Sequence, residues 1–296
     1  MGRGPVTSAS ILVTGASGLL GSYLVRALKQ MRGEVTFVGR TRVPAGDARW
    51  VKCDLTDDRQ VHELIAGRSP RLVVHAAALT NVDLCETDPE LATAVNSSAA
   101  ARLARLTSDV GGRFVLISTD SVFDGRRGDY VETDDPAPLN MYARSKLDGE
   151  RGVAAVANHL VLRTNFFGRS ERGSGLADWL LRELAAGRPV VGFEDVLFSP
   201  LDAATLATLT LELAHTNLRG TLHVGASDAV SKFAFARLVA EAYGFDAGLV
   251  RPGRLSDAAL GAPRPLNTSL NSAKATSVLG RELPSVAAGI ACMHAE

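Results

Sequence analysis

The stretch Ile11-Leu12-Val13-Thr14-Gly15-Ala16-Ser17-Gly18-Leu19-Leu20-Gly21 decides the fold. A short β-branched run enters a turn with glycines three residues apart, and Leu20, Leu24, Ala27, Leu28 and Met31 then recur at helical spacing. Glycines so placed allow a tight turn, close backbone approach to a pyrophosphate and close packing of helix on strand. The helix N-terminus adds free N–H groups and a partial positive charge. No Gly-Lys-Ser/Thr follows, which excludes a P-loop. A plain strand-to-helix turn needing positive φ would look the same in isolation. Its place at the head of a strand-helix-strand unit points to a dinucleotide site, with Gly15, Ser17, Gly18, Leu19, Leu20 and Gly21 as candidate contacts.

Outward from this turn the alternation continues. Val35–Val38, Trp50–Cys53, Leu72–Val74, Phe114–Ile117 and Leu160–Leu162 read as further strands, apolar enough to be buried on both faces as in a helix-covered parallel sheet. Asp88-Pro89 reads as an N-cap followed by proline at the first helical position. The expected fold is α/β, a Rossmann-type doubly wound parallel sheet over residues 9–164. From Asn165 the punctuation changes, with Gly168, Gly173, Gly175 and Gly187-Arg188-Pro189 between helical patches at 178–184, 203–213 and 233–243. Residues 165–296 are therefore expected to form a smaller, loop-rich substrate lobe, with Thr221–Val224 as a strand returning to the main sheet.

Composition limits the partners. The chain has 296 residues, 46% hydrophobic and 22% charged, with 32 basic against 32 acidic side chains. An even balance without like-charge blocks offers no footprint for nucleic acid or an anionic membrane. No apolar run reaches the ~18 residues of a membrane span, and Met1 to Ser10, without the apolar stretch of a secretory signal, are expected to fray. Cys53, Cys85 and Cys292 are odd in number and far apart, which fits a reducing cytoplasm. The six histidines are scattered, so no metal is expected.

Two further features bear on chemistry. The second strand ends Val38-Gly39-Arg40-Thr41-Arg42, with no carboxylate to hold the ribose of NAD. An arginine there can fork onto a 2′-phosphate, so NADPH is expected, with NADH possible. Asp54 and Leu55, after the third strand, are candidates for the adenine end. The second feature is Tyr142-Ala143-Arg144-Ser145-Lys146, behind the helix-start signals Pro138 and Asn140. Residues four apart share a helical face, so phenol and ammonium address one site. A lysine about 5 Å away, at an effective dielectric of ~20, would favour phenolate by roughly 3 kcal/mol, or about two pKa units. The tyrosine would then exchange a proton with a carbonyl oxygen near neutral pH.

Taken in order, Gly15-x-x-Gly18-x-x-Gly21, His75-Ala76-Ala77-Ala78, Asn96, Ser118-Thr119-Asp120-Ser121-Val122-Phe123-Asp124-Gly125 and Tyr142-x-x-Ser145-Lys146 resemble an extended short-chain dehydrogenase/reductase. The blocks from His75 to Glu86 and from Ile117 to Gly125 are similar to those of the dTDP-4-dehydrorhamnose reductase family, and the likeness extends through Arg163-Thr164 to Arg264-Pro265-x-Asn267.

The resemblance implies roles. Thr119 would hydrogen-bond the substrate carbonyl, Tyr142 would donate the proton, Lys146 would bind the nicotinamide ribose, and Asn96 would hold a water of a proton relay. Ala76, Ala77 and Ala78 would lie along the cofactor. Thr80, Val82, Asp120, Ser121, Asn165 and Phe166 would flank the sugar, and Arg264 would clamp a diphosphate. Other lobe arginines, Arg169, Arg172, Arg251 and Arg254, are more simply solvated. Ser121 stands where 4,6-dehydratases of the wider group carry glutamate, which favours simple reduction. It also replaces a common tyrosine, and Asn165-Phe166 stand where serine and tryptophan are frequent, so the hexose is expected to differ. Tyr23 occupies the position of a glutamate linked in some members to a magnesium-bridged dimer.

The function expected from the resemblance is NADPH-dependent reduction of the 4-keto group of a nucleotide-activated 4-keto-6-deoxyhexose. The alternatives are a dinucleotide-binding regulatory subunit, like that of methionine adenosyltransferase, and a sugar-nucleotide epimerase. A homodimer is the default assembly.

Overall fold

The computed structural model describes residues 10–29, 33–41, 47–170, 173 and 175–296. Expectations placed on Met31, Arg42, Arg172 and the first nine residues fall outside them.

The first half alternates strictly: β1 Ile11–Thr14, α1 Leu19–Lys29, β2 Val35–Gly39, β3 Trp50–Lys52, α2 Asp58–Arg68, β4 Leu72–His75, α3 Val82–Thr87 and α4 Pro89–Thr93. A π-helical turn Ala94–Ser98 leads into α5 Ala99–Asp109, followed by β5 Arg113–Ile117, α6 Met141–Val153 and β6 His159–Thr164. The remainder runs β7 Phe166–Phe167, α7 Leu176–Ala185, β8 Val190–Phe193, β9 Leu197–Phe198, β10 Leu201–Asp202, α8 Ala203–Ala214, β11 Gly220–Val224, β12 Val230–Ser231, α9 Lys232–Ala242, β13 Val250–Gly253, α10 Ala273–Leu279 and α11 Val286–Ala295.

Seven parallel strands form the main sheet in the order β11-β6-β5-β4-β1-β2-β3. β1 pairs with β2 on one side and β4 on the other, Ile11 standing beside both Val35 and Leu72, so the winding reverses at β1. Open α/β sheets bind ligands in the crevice outside the strand carboxyl ends at this switch.

Strand periodicity explains the two-sided core. Ile11 and Val13 join one apolar cluster and Leu12 the other; likewise Val74 and Val73, and Val115 and Phe114. Full burial of each such side chain contributes about 1.5–3 kcal/mol. In α1 Leu20, Leu24 and Leu28 are buried as expected, but Ala27 is exposed, and Tyr23 and Val25 are buried. The inward stripe is thus rotated toward Tyr23 and Val25, because α1 packs against α8 as well as the sheet. At Asp88 the expected cap is present: its carboxylate accepts from Leu91 N, with Pro89 following.

The second half contributes to both layers. β11 lies in parallel register on β6, with His223 beside Arg163. Leu206, Leu209 and Leu213 of α8 belong to the same core cluster as Leu24 and Leu28 of α1. The rest is held by three two-stranded sheets, β10–β7, β12–β9 and β13–β8. Among the described residues, no helix is long and apolar enough to cross a membrane.

Candidate active site

The glycine turn is built as its spacing required. Gly15 has φ +68°, and a Cβ there would stand 2.5 Å from Ala77 N. A Cβ on Gly21 would stand 2.0 Å from Gly15 O. The first glycine lets β1 lie against the Ala76–Ala77 backbone, and the third lets α1 start directly over the turn. Beside it opens a cleft of about 890 Å³ lined by Ser17, Gly18, Leu19, Leu20, Gly21, Ala76, Ala78, Thr80, Ile117 and Phe166, among others. Seven of the predicted cofactor contacts and two of the predicted sugar contacts, Thr80 and Phe166, therefore share one cavity.

Among the residues predicted for the adenine end, Arg40 is exposed after β2 and its charge acts on Asp54, whose carboxyl is held below the usual range chiefly by hydrogen bonds from Thr56. Asp54 Oδ1 accepts from both Thr56 N and Thr56 Oγ1, so one carboxylate oxygen serves the local turn. Leu55 is half-buried, and its carbonyl accepts from Arg102.

α6 carries the pair predicted to be reactive, Tyr142 and Lys146. Asn140 caps it by accepting from Ala143 N, which sets Tyr142 in the first turn. Its amide also donates to Pro263 O, tying the cap to the C-terminal half. One turn later the buried Lys146 reaches β5, its Nζ donating to Ile117 O at 2.8 Å. Two residues beyond Ile117 stands Thr119. Its hydroxyl accepts from Ser121 N at 3.1 Å and donates to Asp120 Oδ1 at 3.2 Å. The same hydroxyl is close enough to the Tyr142 phenol to act on its acidity. Thr119, Tyr142 and Lys146 thus meet where β5 ends.

The electrostatics correct one expectation. Tyr142 is pushed up to about 12, chiefly by burial, with Thr119 pulling down and the charges of Asp120 and Cys85 adding to the rise. Burial lowers Lys146 to about 8, opposed by Glu150. The ammonium is spent on the Ile117 carbonyl and does not acidify the phenol. The resting tyrosine therefore holds its proton firmly. His75, buried beside Lys146 and hydrogen-bonded through Nδ1 to Thr14 at 2.7 Å, falls to about 3 and is neutral.

Several other predicted residues already have partners within the fold. Asn96 sits in the π-helical turn and is 1% exposed. Its Oδ1 accepts from Leu79 N, and its Nδ2 donates to Leu79 O and Ser145 Oγ, so the amide clamps the Leu79 backbone. π-turns of this kind recur at functional sites. Asp120, placed among the sugar contacts, is also 1% exposed, and its oxygens accept from Asn165, Thr268, Thr119 and Ser121. It is a hub joining three segments, and the predicted contact Asn165 is one of its partners. Arg264 pairs with Asp83 at 3.0 Å and donates to Ala262 O, so its charge is already countered. Val82 opens α3, half-buried, while Arg169, Arg251 and Arg254 are exposed. Tyr23 donates to Glu296 at 2.7 Å.

Sequence reasoning missed Glu150 and Thr268. Glu150 continues the 142, 146, 150 spacing, a signal that was present. Thr268 carried none, because its role depends on a loop returning across the site.

A family model described as the RmlD substrate binding domain matches residues 9–296. The chain belongs to this family. The RmlD family member is thereby also an extended short-chain dehydrogenase/reductase, as the sequence resemblance implied. It is 38% identical over 289 residues to the "Probable low-salt glycan biosynthesis reductase Agl14" of Haloferax volcanii, covering 96% of each chain. It is 30% identical over 303 residues to methionine adenosyltransferase 2 subunit beta of Rattus norvegicus, covering 94% of this chain and 85% of that one. Among solved structures it superposes on dTDP-4-dehydrorhamnose reductase of Bacillus anthracis in complex with NADP, at TM-score 0.88 and 27% identity, covering 97% of this chain and 98% of the other.

Proposed function

We propose that this RmlD-family protein is an NADPH-dependent oxidoreductase that reduces the 4-keto group of a nucleotide-activated 4-keto-6-deoxyhexose. The observation that carries this reading is the meeting of Thr119, Tyr142 and Lys146 at the end of β5, where Ile117 also lines the glycine-turn cleft. On this reading residues 9–164 bind the dinucleotide and 165–296 chiefly the sugar nucleotide.

The residues present fit a dinucleotide, since the glycine turn at the head of α1 lines a cleft of about 890 Å³. Ser17 to Gly21 would receive the pyrophosphate, Ala76 to Ala78 would line the cofactor, Arg40 would meet the 2′-phosphate and Lys146 the nicotinamide ribose. When bound, the reduced nicotinamide supplies a hydride equivalent to carbonyl carbon. Tyr142, protonated throughout the physiological range, gives its proton to the carbonyl oxygen as that oxygen gains charge. Thr119 steadies the same oxygen by turning its hydroxyl from Asp120. The Lys146 ammonium, held on the Ile117 carbonyl, is still mostly charged at pH 7 for its contact with the ribose. Cys53, Cys85 and Cys292 are free thiols, which fits action in the cytoplasm.

Purified protein given NADPH and a panel of dTDP-4-keto-6-deoxy sugars should lose absorbance at the reduced nicotinamide band. Absence of turnover across the panel rejects the reading. The likeness to the methionine adenosyltransferase subunit supports a second one, a dinucleotide-binding regulatory subunit. Stable capture of a partner enzyme by a chain that turns over no carbonyl substrate would favour it.

A further inference from the structure

Tyr142, Lys146 and Glu150 follow one another at single-turn intervals on α6, and the last has no part in the mechanism above. Glu150 is 5% exposed. It accepts from Arg163 of β6 through both oxygens, at 2.8 Å from Nη2 and at 3.1 and 3.2 Å from Nε. It also accepts from the hydroxyl of Ser118. Lys146 holds the carbonyl of Ile117 at 2.8 Å, so α6 grips the two residues before Thr119 at successive turns. α6 also lies close on the π-helical turn, where a Cβ on Gly149 would stand 2.3 Å from Asn96 O.

We propose that Glu150 is a positioning residue of this active site: anchored by Arg163, its carboxylate seats Ser118 and hence Thr119, and its charge balances the ammonium of Lys146. The inference rests on the roles given above to Thr119 and Lys146. The geometry leaves Glu150 little other use. An ion pair sealed in a core costs several kcal/mol of desolvation per ion and is often matched by apolar residues of similar volume, so stability alone does not explain it. The charged and titratable groups around Lys146 are Glu150 on its own helix, His75 on β4 and Tyr142 one turn back. Arg163 on β6 and His223 on β11 lie behind Glu150. His75 is neutral, so Glu150 is the anion that acts on Lys146.

The test is NADPH binding to the full chain across pH 6 to 10, read by nicotinamide fluorescence without sugar. Affinity should fall on the alkaline side as Lys146 loses its proton. In Glu150→Gln, which keeps an acceptor for Ser118 and removes the charge, that midpoint should move down by about one pH unit. Ser118→Ala should leave the midpoint in place and lower turnover. A Glu150→Gln midpoint coincident with that of the wild type overturns the proposal, as does an equal movement in Ser118→Ala. Should Glu150→Gln fail to fold with Arg163 unpaired, Glu150→Gln/Arg163→Gln removes both charges, and an unmoved midpoint there is equally decisive. Because binding is read without sugar, a wild type that takes NADPH and reduces no keto sugar refutes the proposed function alone, and the midpoints still decide the role of Glu150.

Discussion

Asn96 grips Leu79 on both sides of its backbone, accepting from the amide at 2.8 Å and donating to the carbonyl at 3.0 Å. Leu79 lies between Ala78 and Thr80, both on the wall of the cleft. A helix residue thus fixes the strand-end segment against which the dinucleotide would lie. Asn96→Ala deletes three hydrogen bonds, one buried and two part-buried, and strands their partners, an expected loss of about 2–4 kcal/mol. Denaturant unfolding should show it, and amide exchange at Leu79 should accelerate with it. Unchanged protection at Leu79 would show that the clamp is incidental.

Tyr142→Phe removes the proton and little volume. Turnover should fall by about 10²–10⁴-fold, the usual worth of a placed acid. NADPH affinity should stay within about threefold of the wild type, since a removed hydroxyl costs roughly 1 kcal/mol or less where it does not hold the ligand. A fully active variant would place the proton elsewhere.

Arg40→Ala tests the choice of dinucleotide. Losing a charge-assisted contact to the 2′-phosphate should weaken NADPH by about tenfold, or ~1.4 kcal/mol, and leave NADH unaffected. Parallel loss of both cofactors would show that Arg40 acts on the turn and not on the phosphate.

The pH dependence of stability follows from the lysines. Burial lowers Lys146 and Lys232 from 10.5 to about 8 each. Between those limits the unfolded chain binds more protons than the folded one, so their contribution rises with pH. Cys53, raised from 9.0 to about 11, acts the opposite way above pH 9, and Tyr23 and Tyr142, raised from 10.0 to about 12, do so above pH 10. From pH 8 to 9 the lysine effect is the larger, and unfolding free energy should increase by about 1–2 kcal/mol. A fall over that interval in cofactor-free protein would contradict the burial of both ammoniums.

The strands were readable because both faces of a parallel sheet are buried, leaving unbroken apolar runs such as Ile11–Val13 and Phe114–Ile117. The glycine turn was readable because Gly15 and Gly21 answer steric demands within a dozen residues. Ala27 was misjudged because a periodic pattern does not say which side of α1 a distant helix will cover.

What the sequence settled by itself is therefore local: where strands end, where helices are capped, and which phenol and ammonium share a face of α6. Only the folded chain decided which neighbour each charge would answer to. Lys146 turns to the Ile117 carbonyl, Asp120 to Thr268 some 148 positions away, and Arg264 to Asp83. Those pairings arise because a buried polar group must find a partner, and the partner within reach is set by how strands and loops converge, not by spacing along the chain.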